Sequence, residues 1–152
     1  MELTEVDRRL LRVLQTDARI SNQELAERAG MSASACWRRV RQLEEAGVIA
    51  SYSAILDAEA VGLTFSAVVH VTLTRHDASH TATFVARIAE RPEVLECVST
   101  TGEADYHLRV ACRDKDAYNA FLEDFLFRLP GIAHVRTNLI LKEIKSTRRL
   151  PL

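Results

Sequence analysis

Apolar positions in residues 1–50 recur with the period of a helix. Val6, Leu10, Val13 and Leu14 make one stripe. Thr4 stands just ahead of it, with Asp7 three residues on in a capping-box-like position, so a first helix is predicted from Thr4 to near Asp17. Ser21 or Asn22 can cap a second helix that turns Leu25, Ala26 and Ala29 inward and is closed by Gly30, since glycine accepts the left-handed conformation that ends helices. Ser32 then caps a third, running to about Ala46 and closed by Gly47. Only Gly30 and Met31 separate Ala29 from Ser32, and two helices joined by so tight a glycine turn form a helix-turn-helix.

Beyond Gly47 the period changes. "VIASYSAILD" is predicted as an extended connector, and "TFSAVVHVTLT" alternates: Phe65, Ala67, Val69, Val71 and Leu73 on one side, Ser66, Val68, His70 and Thr72 on the other. Ser79–Arg91 is predicted as a helix that buries Phe84, Val85 and Ile88 and stops before Pro92. "VLECVST" and "DYHLRVAC" are predicted strands around a short turn at Gly102. Asp114–Leu129 is a second amphipathic helix, with Tyr118, Phe121, Leu122, Phe125 and Leu129 inward, and "PGIAHVRTNLILKEI" goes from a turn into a strand. The order β-α-β-β-α-β is the ferredoxin-like arrangement. The predicted class is α+β: a winged-helix-like helix-turn-helix domain over 1–50, a linker over 51–63, and a ferredoxin-like domain over 64–152. Two helices cover one sheet face, and apolar residues such as Val68 on the other face predict a partner surface there.

Composition narrows the functions. The hydrophobic fraction is 47%, the charged fraction 27% and the net charge −1, so nucleic-acid binding has to rest on a local cluster. Cys36, Cys97 and Cys112 are few, odd in number and far apart, which points to a reducing compartment and away from disulfides or a zinc site. "MELTEVDRRLL" lacks the basic-then-apolar order of a signal peptide, and the stretch Val61–Leu73 is broken by Ser66 and His70. A cytoplasmic protein with no membrane partner is expected. The histidines and cysteines are scattered, with no HExxH, phosphate-binding loop or Gly-x-Ser-x-Gly, so neither catalytic nor metal-binding residues nor a cofactor are expected.

The local cluster is "SASACWRRVRQLEEAGVI". At about 100° per residue, Cys36, Val40 and Leu43 fall on the buried stripe of the third helix. Ser34, Arg38 and Arg41 fall nearly opposite, with Gln42 beside them, Trp37 on one flank and Arg39 on the other. Ser, Arg, Arg and Gln are donors suited to phosphates and guanine edges. The competing reading is a solvated face with Arg41 paired to Glu45. The preceding capped helix and tight turn favour double-stranded DNA, with Arg39 nearer the buried stripe and less concerned with base choice. Trp37 suits packing on the first helix as well as it suits DNA.

"DARISNQELAERAGMSASACWRRVRQLEEAGVI" closely resembles the helix-turn-helix of the Lrp/AsnC (leucine-responsive, feast/famine) transcription regulators. "VLECVSTTGEADYHLRV", "YNAFLEDFLFRLPGIAHVRTNLILKEIK" and the closing "LPL" resemble the same family's amino-acid-sensing domain. The resemblance implies a DNA-binding transcription regulator that dimerises through its β-α-β-β-α-β domains, commonly assembles into octamers, and binds an amino acid or related small molecule. It places the recognition helix on Ser32–Leu43 and a Gly-x-x-Asp effector motif on Gly102 and Asp105. One departure is Ala33 and Ala35 where proline is common; alanine favours helix and leaves docking intact.

The residues around that motif suit a zwitterionic ligand. Gly102 leaves backbone amides open to a carboxylate, Asp105 can accept an ammonium, Thr100 and Thr101 supply hydroxyls, and Glu103 lies between. Glycine and aspartate are also ordinary hairpin residues, so Asp105 can equally serve to fix the turn. A regulator of the same fold with no effector, wrapping DNA by multivalency alone, is the alternative.

Overall fold

The computed structural model describes residues 2–74 and 78–152. The chain divides into two compact units, one of residues 1–55 with 145–152, the other of residues 56–144.

The first unit holds three helices: α1 (Glu5–Leu14), α2 (Asn22–Ala29) and α3 (Ala33–Glu45). Thr4 and Asp7 form a full capping box: the Thr4 hydroxyl accepts the Asp7 N–H at 3.2 Å, and the Asp7 carboxylate accepts the Thr4 N–H at 2.8 Å. α1 ends three residues before the predicted Asp17. There the Thr16 and Asp17 amides both turn back to the Val13 carbonyl and the helix loosens into a turn. Ser21 caps α2 and Ser32 caps α3. Gly30 sits at φ 72°, the left-handed conformation that lets the chain reverse in two residues. Leu10, Leu25, Ala26, Ala29 and Cys36 form the core of the unit, with Val6, Ile20 and Val40 packed against it. A fully buried leucine such as Leu10 contributes about 1.5–3 kcal/mol over an exposed one.

By their contacts, residues 145–152 pack with this helical unit. Their backbone is held by two side chains of the first unit. Gln15 exchanges two hydrogen bonds with Leu150, and Arg12 Nε donates to the Leu152 carbonyl at 2.7 Å. Residues 56–63 pack with the second unit.

In the second unit β1 (Phe65–Leu73), β2 (Val94–Ser99), β3 (Tyr106–Cys112) and β4 (Ile132–Leu139) form one antiparallel sheet in the order β2-β3-β1-β4. With α4 (Ala78–Ala89) and α5 (Lys115–Ala120) in chain order, this is the expected ferredoxin-like arrangement. The inner face carries Ala67, Val69, Val71, Leu108 and Val110, packed with Phe84, Ile88, Tyr118, Phe121 and Leu126.

One inward assignment changes, and one is partly met, Leu122 packing against the core while only half-buried. Val85 of α4 is 47% exposed, lying one residue round from buried Phe84. The helix predicted to Leu129 stops being α-helical at Ala120; it widens into a π turn over Phe121–Phe125 and tightens into a 3₁₀ turn over Leu126–Arg128. That path leaves Leu122 only half-buried and buries Leu126 completely, where the 3.6-residue period had Leu122 inward.

The outer sheet face bears Val98, His107, His70 and Arg136 in one cross-strand row, and Glu96, Arg109, Val68 and Asn138 in the next. It is therefore more polar than Val68 alone suggested.

Candidate nucleic-acid interface and effector hairpin

Capping by Ser32 fixes where α3 begins, and Asn22 of α2 donates to the Ala33 carbonyl at 2.8 Å, tying the two helices across the turn. Cys36 and Leu43, fully buried, fix the rotation of α3. Burial raises the Cys36 thiol pKa, so this cysteine acts as a small core residue. Ser34, Arg38, Arg41 and Gln42 are consequently exposed.

Arg38 makes no hydrogen bond or ion pair to any described residue. Arg41 lies 3.8 Å from Glu45 and 5.8 Å from the Trp37 ring. Both members of the Arg41–Glu45 pair are well exposed, so water screens it and it holds Arg41 weakly. Ser32 is exposed, but its hydroxyl accepts the Ala35 N–H at 3.3 Å and is occupied as the cap. Trp37 is 61% exposed and lines a cavity of about 250 Å³ with Leu14 and Leu25, so it reaches α1 without being covered by it.

Arg39 is held differently from its neighbours. Its guanidinium turns into the unit and grips Asp7 in a two-point ion pair, Nε to Oδ1 at 2.5 Å and Nη2 to Oδ2 at 2.6 Å. The Asp7 side chain is 1% exposed, and the Arg39 guanidinium bonded to it holds its carboxyl well below the usual carboxylate range, against the opposing effect of burial. The same partner raises the pKa of Arg39. Arg39 Nη1 also donates to Gln42 Oε1 at 2.9 Å. Arg39 thus clamps α3 to α1 and orients Gln42. Sequence reasoning missed this pair; the only signal was Asp7, an acid at a capping position that is also buried.

In the second unit Thr100, Thr101, Gly102, Glu103 and Asp105 share the turn between β2 and β3. Gly102 adopts φ 140°, open to glycine and strained for other residues, and nothing lies within 4 Å of where its Cβ would be. The turn is braced against β1. Asp105 Oδ2 accepts the Leu73 N–H at 2.7 Å, the Asp105 N–H donates to Val71 O at 3.0 Å, and Thr100 donates its hydroxyl to Ala104 O at 3.2 Å. Glu103 lies 3.6 Å from Arg136 of β4. The Asp105 carboxylate therefore serves the hairpin through one oxygen, and the other has no hydrogen-bond partner among the described residues. Thr101 is exposed.

Residues 3–50 match the family model of a winged helix-turn-helix DNA-binding domain, and residues 66–150 that of the Lrp/AsnC ligand binding domain. The chain belongs to the Lrp/AsnC family. It is a transcription regulator with a DNA-binding domain and a ligand-binding domain. Among Lrp/AsnC relatives, the Bkd operon transcriptional regulator of Pseudomonas aeruginosa is 39% identical over 99% of both chains. The leucine-responsive regulatory protein of Salmonella typhimurium is 37% identical over 98% of this chain and 91% of its own. A transcriptional regulator of Neisseria meningitidis, solved as a complex with L-methionine, has 38% identity and a TM-score of 0.94 over 99% of this chain and 97% of its own. As in this Lrp/AsnC fold, a helix-turn-helix precedes an antiparallel four-stranded sheet with helices. No helix among the described residues is long and apolar enough to cross a membrane.

Proposed function

We propose that this regulator reads double-stranded DNA through Ser34, Arg38, Arg41 and Gln42 of α3, and that an amino acid binding at the hairpin 100–105 controls its DNA binding or assembly. The observation that carries the first part is the contrast among three neighbouring arginines. Arg39 is bound within the unit, whereas Arg38 and Arg41 face solvent on a helix whose start and rotation are fixed by capping and burial. Such a face presents forked donors to base edges and phosphates at little cost in reordering. Ser32 acts through the cap and Arg39 through the clamp, so both position the helix.

The amino-acid class is supported by the methionine complex of the Neisseria relative and by the name of the leucine-responsive one. In this chain the open space at Gly102, the hydroxyls of Thr100 and Thr101, Glu103 and the second oxygen of Asp105 suit the ammonium and carboxylate of such a ligand. Copies of the chain pair through the outer sheet face, and the pairs assemble further, an octamer being the expected form. No cofactor is needed.

Arg38→Ala and Arg41→Ala each lower affinity for the operator by about 1–3 kcal/mol and relax its sequence preference, with the assembly unchanged. Binding isotherms on operator and scrambled duplexes check this; operator affinity equal to the parent's in both variants rules out the assignment.

A further inference from the structure

The charge of the helical unit comes from an unexpected place. Residues 1–55 hold eight arginines, no lysine and eight carboxylates, so α1–α3 and their connections carry no net charge. Residues 145–152, "KSTRRLPL", add Lys145, Arg148 and Arg149 and no carboxylate. The unit becomes +3 only with this segment, while residues 56–144 carry nine cations and thirteen carboxylates.

The segment buries little apolar surface on the helices: only Leu152 is half-buried. Leu150 is 68% exposed, and Lys145, Arg148 and Arg149 are exposed as well. What holds it is polar and specific: the Gln15 amide exchanges two hydrogen bonds with the Leu150 backbone, and Arg12 donates to the Leu152 carbonyl. Thr147 Oγ1 accepts the Arg149 N–H at 3.1 Å and shapes the chain between the cations. None of the three cations has an ion-pair or hydrogen-bond partner for its side chain among the described residues. Gln15 follows Leu14, which lines the same cavity as Trp37 and Arg41 of α3.

We propose that residues 145–152 are a second DNA-contacting element, in which Lys145, Arg148 and Arg149 bind backbone phosphates while α3 reads bases. The inference rests on the reading of this unit as DNA-binding. Phosphate contacts carry no sequence information, and they set the dependence of affinity on salt.

The test uses the full chain and a long random-sequence duplex. The variant Lys145→Gln, Arg148→Gln, Arg149→Gln keeps Leu150–Leu152 and their hydrogen bonds to Gln15 and Arg12. Its log affinity is expected to fall less steeply with log salt, by about 0.9 for each phosphate no longer neutralised, and its deficit against the parent to shrink from about 50 to about 200 mM salt. Gln15→Ala, which loosens the seat and keeps the cations, is expected to lie between variant and parent. A triple variant with the parent's slope and affinity overturns the inference. So does a weakened variant whose light scattering shows a smaller assembly, since the segment would then serve contacts between copies. Arg38→Ala and Arg41→Ala on the operator separate this inference from the reading beneath it. If they weaken binding and the triple variant does not, only the segment's role fails; a parent that binds no duplex removes both.

Discussion

Asp7 shows how one residue holds several roles. Its carboxylate closes the capping box of α1 and also receives the Arg39 guanidinium from α3. Asp7 is buried and Arg39 is partly open to water, so Asp7→Asn is expected to destabilise the helical unit by about 1.5–3 kcal/mol, measured by urea denaturation of the full chain followed through its helix signal. The Asp7 pKa is lowered on folding, so its contribution is complete above the unfolded carboxylate value and is lost as pH falls through the folded one. Acidification below about pH 4 should thus narrow the gap between parent and Asp7→Asn. The capping box was legible because its two residues are three apart. The ion pair was not, because its partners are 32 positions apart in sequence. A helical projection gives the angle at which Arg39 leaves α3, and a long flexible side chain at that flank chose an acid on another helix.

At the scale of elements, caps and strand alternation were legible because each depends on neighbours a few residues away. The widened turn after α5 was not: a 3.6-residue period predicts Tyr118, Phe121, Phe125 and Leu129 well enough and is blind to one extra residue per turn. The β2–β3 turn was placed correctly, while the bond from Leu73 to Asp105 depends on β1 and is visible only in three dimensions. It separates two roles for Asp105. Asp105→Asn keeps an oxygen for the Leu73 N–H and loses the charge, so the melting temperature should stay near the parent's while amino-acid affinity falls. Asp105→Ala leaves that amide without its acceptor and should cost about 1–3 kcal/mol of stability even without ligand. A melting screen against the twenty amino acids, followed by calorimetric titration of the best, tests both; unchanged affinity in Asp105→Asn excludes pairing with the ligand ammonium.

For the molecule as a whole, the histidines of the outer sheet face make the proposed pairing sensitive to pH. His70 and His107 meet edge to face at 4.6 Å, Asn138 lies 3.2 Å from His70 Nε2, and His70 Nδ1 is buried without a hydrogen bond. Burial first, then His107 and Arg136, lowers the His70 pKa, while Glu103 opposes them. Folding therefore favours neutral His70, and that stability is lost as pH falls below the unfolded histidine value of about 6.5. If copies pair through this face, light scattering should show a dimer or larger at pH 7.5 and dissociation on acidification, as charge on His70 develops beside Arg136. A monomer before and after acidification would exclude pairing through this face.

The division of the helical unit into residues 1–55 and 145–152 also bears on synthesis. α1–α3 precede the second unit in the chain, and domains generally fold as units during synthesis. At that stage the nascent unit has no net charge. All of residues 56–144 must follow before Lys145, Arg148 and Arg149 are made, and only then can Gln15 and Arg12 seat the segment that turns the unit cationic. The helices that would read DNA are made before the charge that would draw them to any polyanion, with the whole second unit between them.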